Sequence, residues 1–133
     1  MKTIIAGSRN ITDKEQVFDT IFDIDIVKDI TEVVSGRAKG IDRIGEEFAA
    51  YIGVPVKTFE PNWKDLKAYG AIIKKNKYGQ YNANAGKDRN IKMAEYADAL
   101  IAIWDGKSPG TKHMIEEAEK RGLKVYIHNL SKE

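Results

Sequence analysis

The sequence predicts an α/β protein, a doubly wound parallel sheet of about five strands with helices on both faces. Two observations carry this. Apolar, β-branched runs of strand length alternate with segments whose apolar residues recur at helical spacing. That alternation builds βαβ units, whose right-handed crossovers cover a sheet. In addition, three turns fall where a strand should end and a helix begin: Gly7-Ser8-Arg9, Ser35-Gly36-Arg37-Ala38-Lys39-Gly40-Ile41-Asp42 and Gly106-Lys107-Ser108-Pro109-Gly110-Thr111. Each supplies glycine or small hydroxyl residues with a cation in or beside the turn.

Taken in order, Thr3–Ala6 is an apolar run closed by Gly7 and reads as the first strand. Thr12 and Glu15 have capping-box spacing, and Val17, Phe18, Ile21 and Phe22 share one helical face, which predicts a helix from Asp13 to Ile24. Thr31–Ser35 is the second strand. Ile41, Ile44, Gly45, Phe48, Ala49 and Ile52 predict a helix from Gly40 to Gly53, followed by a strand over Val54–Phe59. Pro61-Asn62-Trp63 is a turn, Trp63–Lys75 has helical character, and Lys77–Gly86 reads as a loop. Asp88 is placed to cap a helix running to Tyr96. Ala99–Trp104 is apolar throughout, as a strand buried on both faces must be. A helix over Thr111–Arg121 stops at Gly122, and Leu123–Ile127 is the last strand.

Composition narrows the function. The 133 residues suit one domain, 42% hydrophobic and 32% charged, with no repeat or internal boundary. The absence of cysteine removes disulfides and thiolate chemistry. No apolar stretch approaches the roughly 20 residues of a membrane span. The amino-terminal run is too short for a signal peptide, so a cytoplasmic protein without membrane contact is expected. A net charge of +2 weighs against bulk attraction to nucleic acid.

Ligands of such sheets bind beyond the carboxyl ends of the strands, where strand order reverses. All three turns lie there, so the expected pocket is lined by Gly7, Ser8, Arg9, Ser35, Gly36, Asp105 and Gly110. Backbone N–H groups at a helix N-terminus attract anions, which points to a phosphate-bearing ligand. Gly36 and Gly40 serve either phosphate contact or tight packing. Arg9 is either a ligand contact or a solvated cation, and Asp42 either a first-turn carboxylate or a ribose contact. Asp105 is better placed for a ribose or base, and Thr111 is a helix cap, a phosphate ligand or both. Trp63 and Trp104 read as core or pocket wall, His113 as structural, and His128 carries no signal. Asp19, Asp23, Asp25 and Asp29 do not converge, so no metal site is expected, and no cofactor. Residues 64–87 interleave Lys64, Lys67, Lys74, Lys75, Lys77 and Lys87 with Tyr69, Tyr78 and Tyr81. A solvated flap is the preferred reading, with a lid over the ligand or a single-strand contact as alternatives.

The motifs GSR, SGRAKGID, PNW and GKDRNIKMAEYADALIAIWDGKSPGT together resemble the SLOG superfamily, Rossmann-like proteins that include the LOG phosphoribohydrolases and the Smf/DprA DNA-uptake proteins. The branch most similar is the YspA, or cpYpsA-related, type found in bacteria and phages. The resemblance implies binding of a nucleotide or nucleotide-derived ligand, with Arg89 as a ligand contact in the retained Arg89…Met93 pattern. It also implies a homodimer as a possible state. Two departures stand out. The family's catalytic Glu lies three residues after the Gly-Thr pair, and that place here is Met114. Glu116 and Glu117, two and three residues further on, sit roughly 200° and 300° further round a helix. Arg37 stands where relatives commonly carry a second glycine, which narrows the turn and adds a cation. Three readings follow: a module that binds a nucleotide-derived ligand without turnover, an N-glycosidase acting on nucleoside monophosphates, or a nucleic-acid-binding accessory protein. The missing Glu favours the first.

Overall fold

The computed structural model describes residues 1–130. The elements are β1 (Lys2–Gly7), α1 (Lys14–Phe22), a 3-10 turn (Asp25–Asp29), β2 (Glu32–Ser35), α2 (Ile41–Ile52), β3 (Val56–Thr58), β4 (Ile73–Asn76), β5 (Gly79–Asn82), α3 (Ala85–Tyr96), β6 (Ala99–Trp104), α4 (Pro109–Lys120) and β7 (Lys124–Asn129). Five strands form one parallel sheet in the order β3-β2-β1-β6-β7, and β4 with β5 forms a separate antiparallel hairpin. β1 is central, its Thr3 opposite Val33 of β2 on one side and Ala99 of β6 on the other. The chain builds outward from β1 through β2 and β3, then returns to place β6 on β1's other side. Strand order therefore reverses between β1 and β6.

Alternation along the strands makes two cores. Ile5, Val33, Ile101 and Ile103 point to one face, where Val17 and Ile21 of α1 and Ile41, Ile44 and Phe48 of α2 cover them. Ile4, Ala6, Val34, Leu100 and Ala102 point to the other, under Met93 and Ala94 of α3 and Met114, Ile115 and Ala118 of α4. Each of these large side chains contributes about 1.5–3 kcal/mol on full burial. The sheet is thus doubly wound, with two helices on each face, as the alternating pattern predicts.

Several boundaries differ from expectation. The cap of α1 is Asp13, whose carboxylate accepts from Gln16 N at 3.2 Å, and not Thr12. The helix ends at Phe22 because the chain tightens into the 3-10 turn. Trp63–Lys75 is not helical. Gly70 takes a positive φ of 78°, and the β-branched Ile72–Ile73 pair leads into β4. The supposed loop Lys77–Gly86 holds β5 and the start of α3, so Asp88 lies in the first turn of α3 and does not cap it. Asn82 fixes this region: its Oδ1 accepts from Ile72 N at 3.1 Å and Asn84 N at 2.9 Å, and its own N–H donates to Trp63 O at 2.6 Å. Among the described residues no helix is long and apolar enough to cross a membrane.

Candidate functional site

A cleft of about 550 Å³ opens at the carboxyl ends of β1 and β6, where strand order reverses. That size falls in the usual range for small-molecule sites. Gly7, Arg9, Asp42, Arg89, Asp105, Gly110 and Thr111 line it, and Met93 and Met114 form an apolar part of the wall.

Close backbone approach makes the cleft. A Cβ on Gly7 would lie 1.9 Å from the carbonyl oxygen of Ile103, so only glycine lets β1 and β6 end side by side there. A Cβ on Gly36 would lie 2.5 Å from Arg89 Nη1 and 2.9 Å from Asp42 Oδ2. Gly36 thereby lets a guanidinium and a carboxylate close over the same stretch of backbone. Arg89 Nη1 donates to the Gly36 carbonyl, and Arg89 Nε donates to Asn90 Oδ1 at 3.0 Å. Asn90 Nδ2 in turn donates to Gly110 O at 3.2 Å and lies 3.1 Å from His113 Nδ1. One chain of polar contacts therefore runs from the β2–α2 turn through α3 to the start of α4.

Electrostatics single out Asp42 and Arg89. Asp42 is 5% exposed, and Ala38 N donates to its Oδ2 at 3.2 Å. Burial raises its carboxyl from the ordinary 3.8 to about 6, against the lowering influence of Arg89. Burial likewise lowers Arg89, with Arg9 adding to the effect and Asp42 opposing it. Both shifts have the same meaning: loss of water outweighs the mutual attraction of the pair. Asp105 is held down to about 2 by the backbone N–H groups of Lys107 and Ser108, each donating to its Oδ1 at 2.8 Å. Its Oδ2 lies 3.0 Å from Ser108 Oγ, and its N–H donates to Ser8 Oγ at 2.9 Å. Asp105 thus shapes the turn that starts α4. No side chain caps α4, and Pro109 has no N–H to offer, so the first amides of that helix, Gly110 and Thr111, lack intrahelical partners. Arg9 is exposed at the rim, with no ion-pair partner among the described residues.

Five candidates stand behind the wall. Ser8 bonds Asp105, and Gly36 backs Arg89. Gly40, with φ 77°, starts α2 against the carbonyls of Ser8 and Arg9. Ser35 Oγ donates to Glu46 Oε2 at 2.6 Å and accepts from Arg37 N at 3.1 Å. Arg37 pairs with Glu46 at 2.5 Å and takes a left-handed φ of 64°, a conformation that favours glycine. Asn10 and Asn90 line the cleft without having been singled out, since a neutral amide carries no clear signal in sequence. Glu116 is exposed, and Glu117 pairs with Arg121 and lies 3.4 Å from His113 Nε2, so neither lines the cleft. Met114 does. Trp104 Nε1 donates to Ser108 O at 3.1 Å, and Trp63 is 40% exposed beside the hairpin.

The fold and cleft define a Rossmann-like α/β protein with an open site at its topological switch point. Residues 1–65 match the model of the YspA, cpYpsA-related SLOG family, the branch that the GSR, SGRAKGID and PNW motifs of this stretch resemble. The Arg89…Met93 and Gly110-Thr111 motifs lie beyond that match. The chain is also 28% identical over 131 residues to the Gene 61 protein of Mycobacterium phage D29, with 93% of each chain covered.

Proposed function

We propose that this protein binds a nucleotide or nucleotide-derived anion in the cleft between β1 and β6 and leaves it intact. The observation that carries the reading is the convergence of Arg9, Arg89 and the uncapped N-terminus of α4 on one cleft at the switch point. Cations and free amides facing the same space suit a phosphate or diphosphate. The apolar Met93 and Met114 flank suits a ribose or base. The family match supports a nucleotide-related role. Where relatives of the LOG kind place a carboxylate that stabilises positive charge on the sugar, this cleft presents a thioether, which has no charge to offer. The cytoplasmic setting and the homodimer remain expectations of the same reading.

Calorimetry with AMP, ADP, ADP-ribose and a cyclic nucleotide tests it. Arg89→Ala removes a charge-assisted hydrogen bond worth about 1.5–3 kcal/mol, a loss of roughly 10–150-fold in affinity. Because Arg89 also supports Gly36 and Asp42, the exposed Arg9→Gln variant serves as a second probe with an intact fold. Binding by no member of the panel, or unchanged affinity in both variants, would reject the proposal.

A further inference from the structure

We propose that the hairpin arm made by β4, β5 and the residues before it is a docking surface for single-stranded nucleic acid. The charge of the chain is divided unevenly. Residues 64–82 contain five lysines and one aspartate, a net of +4, whereas the whole chain is only +2. The remainder is therefore −2. The small overall charge conceals a basic arm on an acidic body.

The arm also displays its aromatic residues. Tyr69 is fully exposed, and Tyr78 is 84% exposed at the hairpin tip. All four residues of β4 are exposed, including Lys74 and Lys75. Register sets Lys74 directly opposite Tyr81, which places a cation and a ring on the same side of the ladder. At the tip Lys77 Nζ lies 5.0 Å from the Tyr78 ring centroid. Among the described residues none of Lys74, Lys75 and Lys77 has an ion-pair partner. Rings presented to water between unpaired ammonium groups match the chemistry of a single strand: bases stack on the rings while phosphates meet the lysines. A duplex hides its base faces and would use only the charge.

The arm is held so that it can act as a platform. A two-stranded hairpin alone is marginal. Here Asn82 fastens its base to the body through Trp63, Ile72 and Asn84. The tip projects with Tyr78 N donating to Asn76 Oδ1 at 2.8 Å, which rigidifies the turn that carries Lys77 and Tyr78.

The test is fluorescence anisotropy with a labelled oligothymidylate of about 15 nucleotides and a duplex of equal length, across a salt series. Three lysine–phosphate contacts predict a slope of log K against log salt of about −2 for the single strand. The triple variant Lys74→Gln, Lys75→Gln, Lys77→Gln should flatten that slope. Tyr78→Ala should weaken single-strand binding roughly 5- to 150-fold while leaving the slope unchanged. All four positions are exposed, so circular dichroism should show the fold unaltered. Absence of binding at low salt, indifference to both variants, or duplex binding tighter than single-strand binding and insensitive to Tyr78→Ala would each overturn the proposal.

Discussion

Asp42 ties the stability of the protein to pH in a predictable direction. Its carboxyl sits at about 6 in the folded chain and at the ordinary 3.8 once unfolded. Below pH 4 both states hold the proton, and the fold is not burdened by a buried charge. As pH rises, the unfolded chain releases the proton first, so the contribution is lost progressively up to and through pH 6. Above that both states are ionised and the loss is complete. At 1.36 kcal/mol for each pH unit separating the two pKa values, the fold loses about 3 kcal/mol across this window. At 5% exposure, solvent screening removes little of that. Asp105 acts in the opposite sense and in a different window. Its pKa is depressed to about 2, so its contribution is present above the ordinary 3.8 and lost as pH falls towards 2. Urea denaturation at a series of pH values, wild type against Asp42→Asn, isolates the effect, and carbon NMR of the Asp42 carboxyl reads its midpoint directly. A midpoint near 4, or parallel pH profiles for the two proteins, would show that Arg89 and the Ala38 amide offset burial more fully than the argument holds.

Two further outcomes follow from the cleft. Gly7→Ala forces a Cβ against the Ile103 carbonyl and breaks the Ser8 N to Ile103 O bond of 3.1 Å, so stability should fall by about 3 kcal/mol and the melting temperature by roughly 10 °C; an unchanged melting curve would contradict the packing. The wild-type protein should release no free base from AMP at rates typical of enzymes, and chromatography of the reaction reads this; turnover of about 1 per second would refute the binding-only reading and make Asp42, the carboxyl buried in the cleft, the first acid to examine, whereas a gain of activity in Met114→Glu would support it.

How much of this was legible in the sequence depends on burial. Ala99–Trp104 was readable to the residue, because a strand covered on both faces must be apolar throughout. The hairpin was not readable, because β4 is exposed on both sides and so shows no alternation. Its pairing is set by Gly79, with φ 116°, and by the tertiary anchor at Asn82. In the cleft, the turns at strand ends disclosed Gly7, Arg9, Asp105, Gly110 and Thr111 as neighbours, since parallel topology gathers all such turns at one end of the sheet. Ser35 and Arg37 belong to the same turn but face Glu46, one helical turn beyond Asp42, and no local pattern announces that pairing.

Because Asn82 N meets Trp63 O at 2.6 Å, the chain leaves the body and returns to it at nearly one point. Residues 64–81 are thus a closed excursion. The five-stranded sheet takes no ladder partner from them. Doubling the length of such a loop costs only about 0.6 kcal/mol in closure entropy. The arm is therefore free to lengthen, exchange its charges or be replaced outright in descendants of this chain, while Gly7, Gly36 and the strand ends keep the cleft itself fixed.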